Sequence, residues 1–194
     1  MIVNRFTEVK LWDLARHNAP LAPLPHRERP PAMAFSPDGG TLATIGPTQI
    51  RLWDVSSQRA KALDITGGWR LAFSPDGREL AVTLKSTDEL ILWDLARNVE
   101  TGRLPSIRND SGHGSLAYSP DGRWLVGAFG PGYLTVRIWD LAARTVITNL
   151  AGHTAGVFDA VFVADGKLLA SAGGDQTIKL WDVEIGRASC RERV

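Results

Sequence analysis

The sequence predicts an all-β protein made of one short-stranded antiparallel unit used four times and a fraction, and three observations carry that reading. Trp-Asp pairs recur at Trp12-Asp13, Trp53-Asp54, Trp93-Asp94, Trp139-Asp140 and Trp181-Asp182, in steps of 41, 40, 46 and 42 residues. Between them runs a second mark in the same phase: Ser36-Pro-Asp-Gly39, Ser74-Pro-Asp-Gly77, Ser119-Pro-Asp-Gly122 and the weaker Val163-Ala-Asp-Gly166. The third observation is composition: 19 Gly and 11 Pro in 194 residues, with little helical periodicity, point to many short strands and turns. Two phased marks at one period define a repeat.

Each element has a local reason. Ser-Pro-Asp-Gly suits a type I turn, because Pro pre-sets φ at the second position and Gly accepts left-handed geometry at the fourth. Short apolar runs flank it, as in Ala32-Met-Ala-Phe35 and Thr41-Leu-Ala-Thr44, so the turn closes a hairpin. Before each Trp the side chains alternate: in Thr177-Ile-Lys-Leu-Trp181, Ile178 and Leu180 share one face, Lys179 and Trp181 the other. A polar stretch after Trp-Asp leads to a fourth, less regular strand such as Thr145-Val-Ile-Thr-Asn-Leu150. Every unit therefore supplies four short antiparallel strands.

These motifs resemble the WD-repeat family over roughly residues 5 to 184, and the near-uniform Ser-Pro-Asp-Gly turns and Trp-Asp-Leu-Ala joints look like its bacterial members. The resemblance implies a β-propeller, in which each unit is a twisted blade stacked on its neighbours and apolar on both faces. Residues 1–24 read as a partial blade holding its last two strands, and 25–184 as four WD repeats of which the last lacks its final strand. Such rings close with more blades than this, so the chain reads as an incomplete arc of about four blades from a larger propeller. Its apolar flanks are expected to make the fragment self-associate.

The closing Ile185-Gly-Arg-Ala-Ser-Cys-Arg-Glu-Arg-Val194 abandons the pattern. It resembles, codon for codon, the translation of a common short-read sequencing adaptor (atc gga aga gcg tcg tgt agg gaa aga gtg). It is set apart as a disordered, adaptor-derived tail. Without Arg187, Arg191, Arg193 and Glu192, the 22 basic and 21 acidic residues become 19 and 20, and the net charge moves from +1 to −1. So balanced a chain has no field to steer nucleic acid or an anionic membrane. No stretch approaches 18 consecutive apolar residues. Cys190 is the only cysteine and lies in the tail, which leaves no disulfide, thiolate nucleophile or Cys-based metal site. A cytoplasmic setting is compatible with that composition.

The last repeat carries Gly152-His153, Ser171, Asp175 and Trp181, a grouping that invites a catalytic reading. In the family the matching residues form a structural hydrogen-bond chain, Asp to His to Ser to the Trp indole. The chemistry agrees: a buried indole N–H and imidazole need partners, an unpaired one costs ~1–3 kcal/mol, and no Gly-x-Ser-x-Gly elbow exists. The other copies depart from the pattern. Thr44 fills the serine slot in the first, whose Pro47 falls near the aspartate slot; Val82 and Asp64 take the serine and histidine slots in the second, Gly127 and Asn109 in the third. Those blades are expected to lean on apolar packing.

No metal or cofactor site is expected. His17, His26, His113 and His153 fall in different copies without ligand spacing, the Asp-Gly turns lack a calcium loop's run of oxygens, and no phosphate-cradling Gly-Lys-Ser/Thr element is present. A propeller hydrolase or lactonase would need polar ligands on its innermost strands, where this chain has Met33, Leu71, Leu116 and Ala160.

The expected function is therefore a non-catalytic scaffold or sensor that binds protein or peptide partners, not nucleic acid or membrane. Candidate anchors are Trp69 and Phe158, each seven residues before its turn aspartate, and Tyr133 in the Gly130-Pro-Gly132 loop. Ordinary packing between blades is the competing reading for all three. The alternative function is a regulatory propeller within a bacterial Ser/Thr protein kinase or signalling NTPase, which rests on family analogy alone.

Overall fold

Each hairpin is closed by hydrogen bonds among residues no more than five positions apart. In the computed structural model, which describes residues 8–13, 19–20, 24–25, 30–46, 48–85, 87, 89–105, 114–129 and 134–183, the amides of Gly39, Gly77 and Gly122 donate to the carbonyls of Ser36, Ser74 and Ser119 at 2.8, 2.9 and 2.9 Å. All three glycines have φ of +71°, where a Cβ would be strained. In each turn the Ser hydroxyl donates to the Asp carboxylate at 2.6 Å. The same hydroxyl accepts the amide five residues on, at 2.8 to 2.9 Å. Successive turns stack, since Gly77, Gly122 and Gly166 lie against Pro37, Pro75 and Pro120 of the preceding copy.

The fourth turn differs. Val163 has no hydroxyl with which to clamp Asp165, and Ala164–Gly166 forms a single 3-10 turn with Asp165 at φ of 56°. Without the Ser anchor, the chain reaches the same reversal through left-handed backbone at two successive residues.

The strands follow in regular order. Four short pieces, β1 (Glu8–Val9), β2 (Trp12–Asp13), β3 (Ala19–Pro20) and β4 (Leu24–Pro25), pair antiparallel as β1 with β4 and β2 with β3. Blade one comprises β5 (Met33–Phe35), β6 (Thr41–Ile45), β7 (Ile50–Asp54) and β8 (Ala60–Leu63). Blade two comprises β9 (Gly68–Phe73), β10 (Glu79–Leu84), β11 (Glu89–Asp94) and β12 (Val99–Pro105). Blade three comprises β13 (Gly114–Tyr118), β14 (Trp124–Phe129), β15 (Thr135–Asp140) and β16 (Thr145–Ala151). Blade four shows β17 (Val157–Val163), β18 (Leu168–Gly173) and β19 (Ile178–Asp182) among the described residues. Within every blade, consecutive strands pair antiparallel.

A second turn signature follows the Trp-Asp pairs of blades one, two and three. The carboxylates of Asp54, Asp94 and Asp140 accept the amide three residues on, at 2.7, 2.7 and 2.8 Å. The next residues, Gln58, Asn98 and Arg144, take φ of 57°, 58° and 55°. These Asp residues therefore cap the turn into the outermost strand.

The core lies between blades rather than within one. Side chains from facing sheets form separate apolar layers: Ile50, Leu63, Leu71 and Val82 between blades one and two, Leu90, Leu104, Leu125 and Trp139 between two and three, Val136, Leu150, Val157 and Leu169 between three and four. The innermost strands β5, β9, β13 and β17 stand side by side along the stack.

The turn carboxylates tie this fold to pH. The Ser hydroxyl first, then the amide two residues on, holds Asp38, Asp76 and Asp121 below the usual carboxylate range. The hydroxyl of Ser56 and the amide of Ser57 bring Asp54 down to about 2. A depressed folded-state pKa stabilises above the unfolded value and loses that contribution as pH falls through the folded value. Thermal stability is therefore expected to drop between about pH 4 and pH 2. The combined Ser36→Ala, Ser74→Ala, Ser119→Ala variant should show a flatter profile; equal slopes for variant and wild type in thermal scans would refute the linkage.

Candidate interaction surface

The Trp indoles on the third strands of blades one to four meet four different fates, each following from the second-strand residue two positions beyond the leucine that pairs with the Trp. In blade four, Trp181 Nε1 donates to Ser171 Oγ at 2.8 Å, Ser171 Oγ meets His153 Nε2 at 2.8 Å, and His153 Nδ1 meets Asp175 Oδ2 at 2.8 Å. Because the Asp175 carboxylate only accepts, Nδ1 carries the hydrogen donated to it; in the neutral imidazole Nε2 then accepts the Ser171 hydroxyl proton, while Ser171 Oγ accepts from the indole. Asp175 also accepts the amides of Thr154 and Thr177 and the Thr177 hydroxyl. Burial pushes its pKa up, but the Thr154 amide, the Thr177 hydroxyl and His153 together outweigh this and hold it well below the ordinary value.

Ser171 and His153 are buried, so no substrate reaches the hydroxyl, and both of its hydrogen-bonding roles are taken within the blade. The glycines around the chain are spatially required: a Cβ on Gly173 would come within 2.6 Å of His153 Nδ1, and one on Gly152 within 3.0 Å of the Trp181 ring.

Elsewhere the chain of bonds is cut short. In blade one, Trp53 Nε1 donates to Thr44 Oγ1 at 2.9 Å; Pro47 lies outside the described residues. In blade two, where Val82 takes the serine slot, the buried Trp93 indole N–H finds no acceptor among the described residues. Blade three, packed through apolar layers on both sides, adds one bond that its sequence did not announce. With Gly127 in the serine slot, Trp139 Nε1 donates to the Pro105 carbonyl of blade two at 2.6 Å, a bond between blades.

Trp69 and Phe158 both occupy the second position of an innermost strand, β9 and β17. They sit on blades two and four with β13 between them, so they form no joint patch. Trp69 is half-buried, with the Arg70 guanidinium 5.5 Å and the Lys85 ammonium 5.2 Å from its ring centre. Its indole N–H is buried without an acceptor among the described residues. Phe158 is 47% exposed beside a register shift between Val157 and Asp159. Tyr133, His17, His26 and His113 lie outside the described residues, as do 185–194. Among the described residues, no group of His, Cys, Asp and Glu could hold a metal ion, and no helix is long and apolar enough to cross a membrane.

Three connections between blades were not singled out from the sequence. Arg70 Nε donates to the Gly114 carbonyl of blade three at 2.6 Å, and its Nη1 to the Pro31 carbonyl beside blade one at 3.3 Å. A charged residue inside the apolar Gly68–Phe73 strand was the available signal. The hydroxyl of Ser115, on β13, accepts the Ala160 amide at 2.8 Å. Tyr118 OH donates to Glu79 at 2.9 Å across a cleft of about 610 Å³ between blades two and three. Burial, then Glu79, pushes the Tyr118 hydroxyl pKa up.

Stacked four-stranded antiparallel sheets joined through their innermost strands define a β-propeller-type protein. The "WD domain, G-beta repeat" family model matches residues 105–140 and 144–182, each segment ending on a Trp-Asp pair. The chain is similar to the Protein groucho of Drosophila melanogaster, 28% identical over 184 residues that cover 90% of this chain and 24% of that protein. It thus spans about a quarter of that relative's length. Its fold is similar to a solved structure of Kuenenia stuttgartiensis hydrazine synthase, with a TM-score of 0.70 and 20% identity over 84% of this chain and 49% of that one. Two segments of the chain thus match the WD-repeat model, within a fold similar to that solved structure's.

Proposed function

We propose that the chain is a non-catalytic, cytoplasmic protein-interaction scaffold or sensor segment of a larger WD-repeat protein. The observation that supports this best is the contrast between its two candidate sites. The Ser-His-Asp chain is buried and fully engaged, whereas Phe158 presents an exposed aromatic ring at the end of an innermost strand. Half-buried Trp69, flanked by Arg70 and Lys85, adds a second aromatic anchor at the corresponding place on blade two. Aromatic residues held on rigid strands lose little entropy on binding, and they dominate peptide interfaces.

A displayed random-peptide library tests this, selected on the wild-type chain and counter-selected on a Phe158→Ala, Lys85→Glu variant whose apolar flanks are unchanged. Peptides lost on the variant support the assignment. Selection of peptides that bind both proteins equally, or of none, refutes it.

A further inference from the structure

The sequence holds four Asp-Gly pairs, 38–39, 76–77, 121–122 and 165–166, each in the turn between the first and second strands of a blade. All four aspartates are exposed, so water and protons reach them alike. The hold on the carboxylate is what differs. Oδ1 of Asp38, Asp76 and Asp121 accepts the Ser hydroxyl at 2.6 Å and the amide two residues on at 3.0 Å. Those two bonds fix the group in place and favour its ionised form.

The fourth pair has no such hold. Val163 stands where the others have Ser, and the Asp165 carboxylate accepts no hydrogen bond among the described residues. Asp165 itself sits at φ of 56° and ψ of 32°, a left-handed conformation that a residue with a Cβ adopts at a cost. Leaving that conformation is therefore easier here than in a turn clamped by its own side chains. The next residue, Gly166, has no side chain to shield its amide nitrogen from the neighbouring carboxyl.

We propose that Asp165 is a covalent modification site, where aspartate isomerises to isoaspartate while the three clamped Asp-Gly turns are protected. The Gly166 amide nitrogen attacks Cγ of the protonated Asp165 carboxyl. A C–N bond forms, and the carboxyl hydroxyl leaves with the amide hydrogen as water, giving a succinimide ring. Water then adds to either ring carbonyl. Opening at Cγ restores aspartate; opening at the main-chain carbonyl leaves the chain running through Cβ and Cγ, with a free α-carboxylate. Nothing is oxidised or reduced, and the final mass is unchanged. Isoaspartate adds one carbon to the main chain between β17 and β18, in a turn whose Gly166 packs against Pro120 of the preceding blade. The inference is independent of the peptide-binding surface, since Trp69, Lys85 and Phe158 take no part in it.

Ageing the 194-residue chain at about pH 6, where an ordinary carboxyl still takes up some protons, tests the proposal. Peptide mapping with electron-transfer fragmentation, which cleaves isoaspartate differently from aspartate, reads all four pairs in one sample. Isoaspartate should build up several-fold faster at 165 than at 38, 76 or 121. In urea the four rates should converge, because the fold and not the Asp-Gly dipeptide makes the choice. Val163→Ser combined with Ala164→Pro writes the clamped turn into blade four and should slow 165 to the rate of the others. Ser74→Ala unclamps Asp76 and should raise isoaspartate there alone; far-UV circular dichroism checks that both variants are folded. Equal rates at the four pairs in the folded wild type overturn the proposal. So does a Ser74→Ala variant that is folded yet leaves Asp76 as slow as before.

Discussion

Replacing Trp139 by Ala is expected to lower stability by about 3–5 kcal/mol, the range for large-to-small changes at a fully buried aromatic. Trp139 has no exposed surface and is the largest side chain that blades two and three share. Its removal opens a cavity lined by Leu90, Leu92 and Leu104 and leaves the Pro105 carbonyl without its indole donor. In a stacked repeat array each interface term counts toward cooperativity, so the damage should spread to both neighbours. Urea titration followed by fluorescence checks this, with Trp12→Ala as the control. Trp12 is more than half exposed, so its loss should shift the midpoint far less; equal shifts would show that interface burial is not what holds the blades together.

Ser171→Ala should destabilise by about 2–4 kcal/mol, because one hydroxyl serves two buried groups. Without it the Trp181 N–H and His153 Nε2 both lose a partner in a site too tight to admit a replacement. Ser171→Thr should recover most of the loss, since Thr44 accepts the Trp53 indole at the corresponding place. The reciprocal change, Val82→Thr, offers an acceptor to the orphaned Trp93 indole and should stabilise blade two by about 0.5–1 kcal/mol. Hydrogen exchange reads each effect by blade. Faster exchange confined to β17–β19 is expected for Ser171→Ala; an unchanged pattern would mean that the chain of bonds is not holding blade four.

How much could be read beforehand depended on how far apart the interacting residues lie. The hairpin turns are closed by bonds spanning two to five residues, so Ser-Pro-Asp-Gly announced them directly. The blade-four chain was legible because His153, Ser171, Asp175 and Trp181 are side chains of complementary chemistry at family spacing. Arg70 was not, because both of its carbonyl partners are backbone atoms 39 and 44 residues away, and backbone carbonyls leave no trace in residue type. Trp139 escaped notice for the same reason, its acceptor being the carbonyl of Pro105. The fourth turn was visible as weaker, but its left-handed Asp165 followed from the lack of a hydroxyl at Val163.

By itself, the sequence determined the repeat, the strand count within each unit and the turn chemistry, because all of these rest on local hydrogen bonds and on two-residue side-chain alternation. The tertiary structure alone decided which indole is satisfied across a blade boundary and which arginine ties three blades together. Those outcomes depend on the distance between residues far apart in the chain, which only the stacking of blades brings within bonding range.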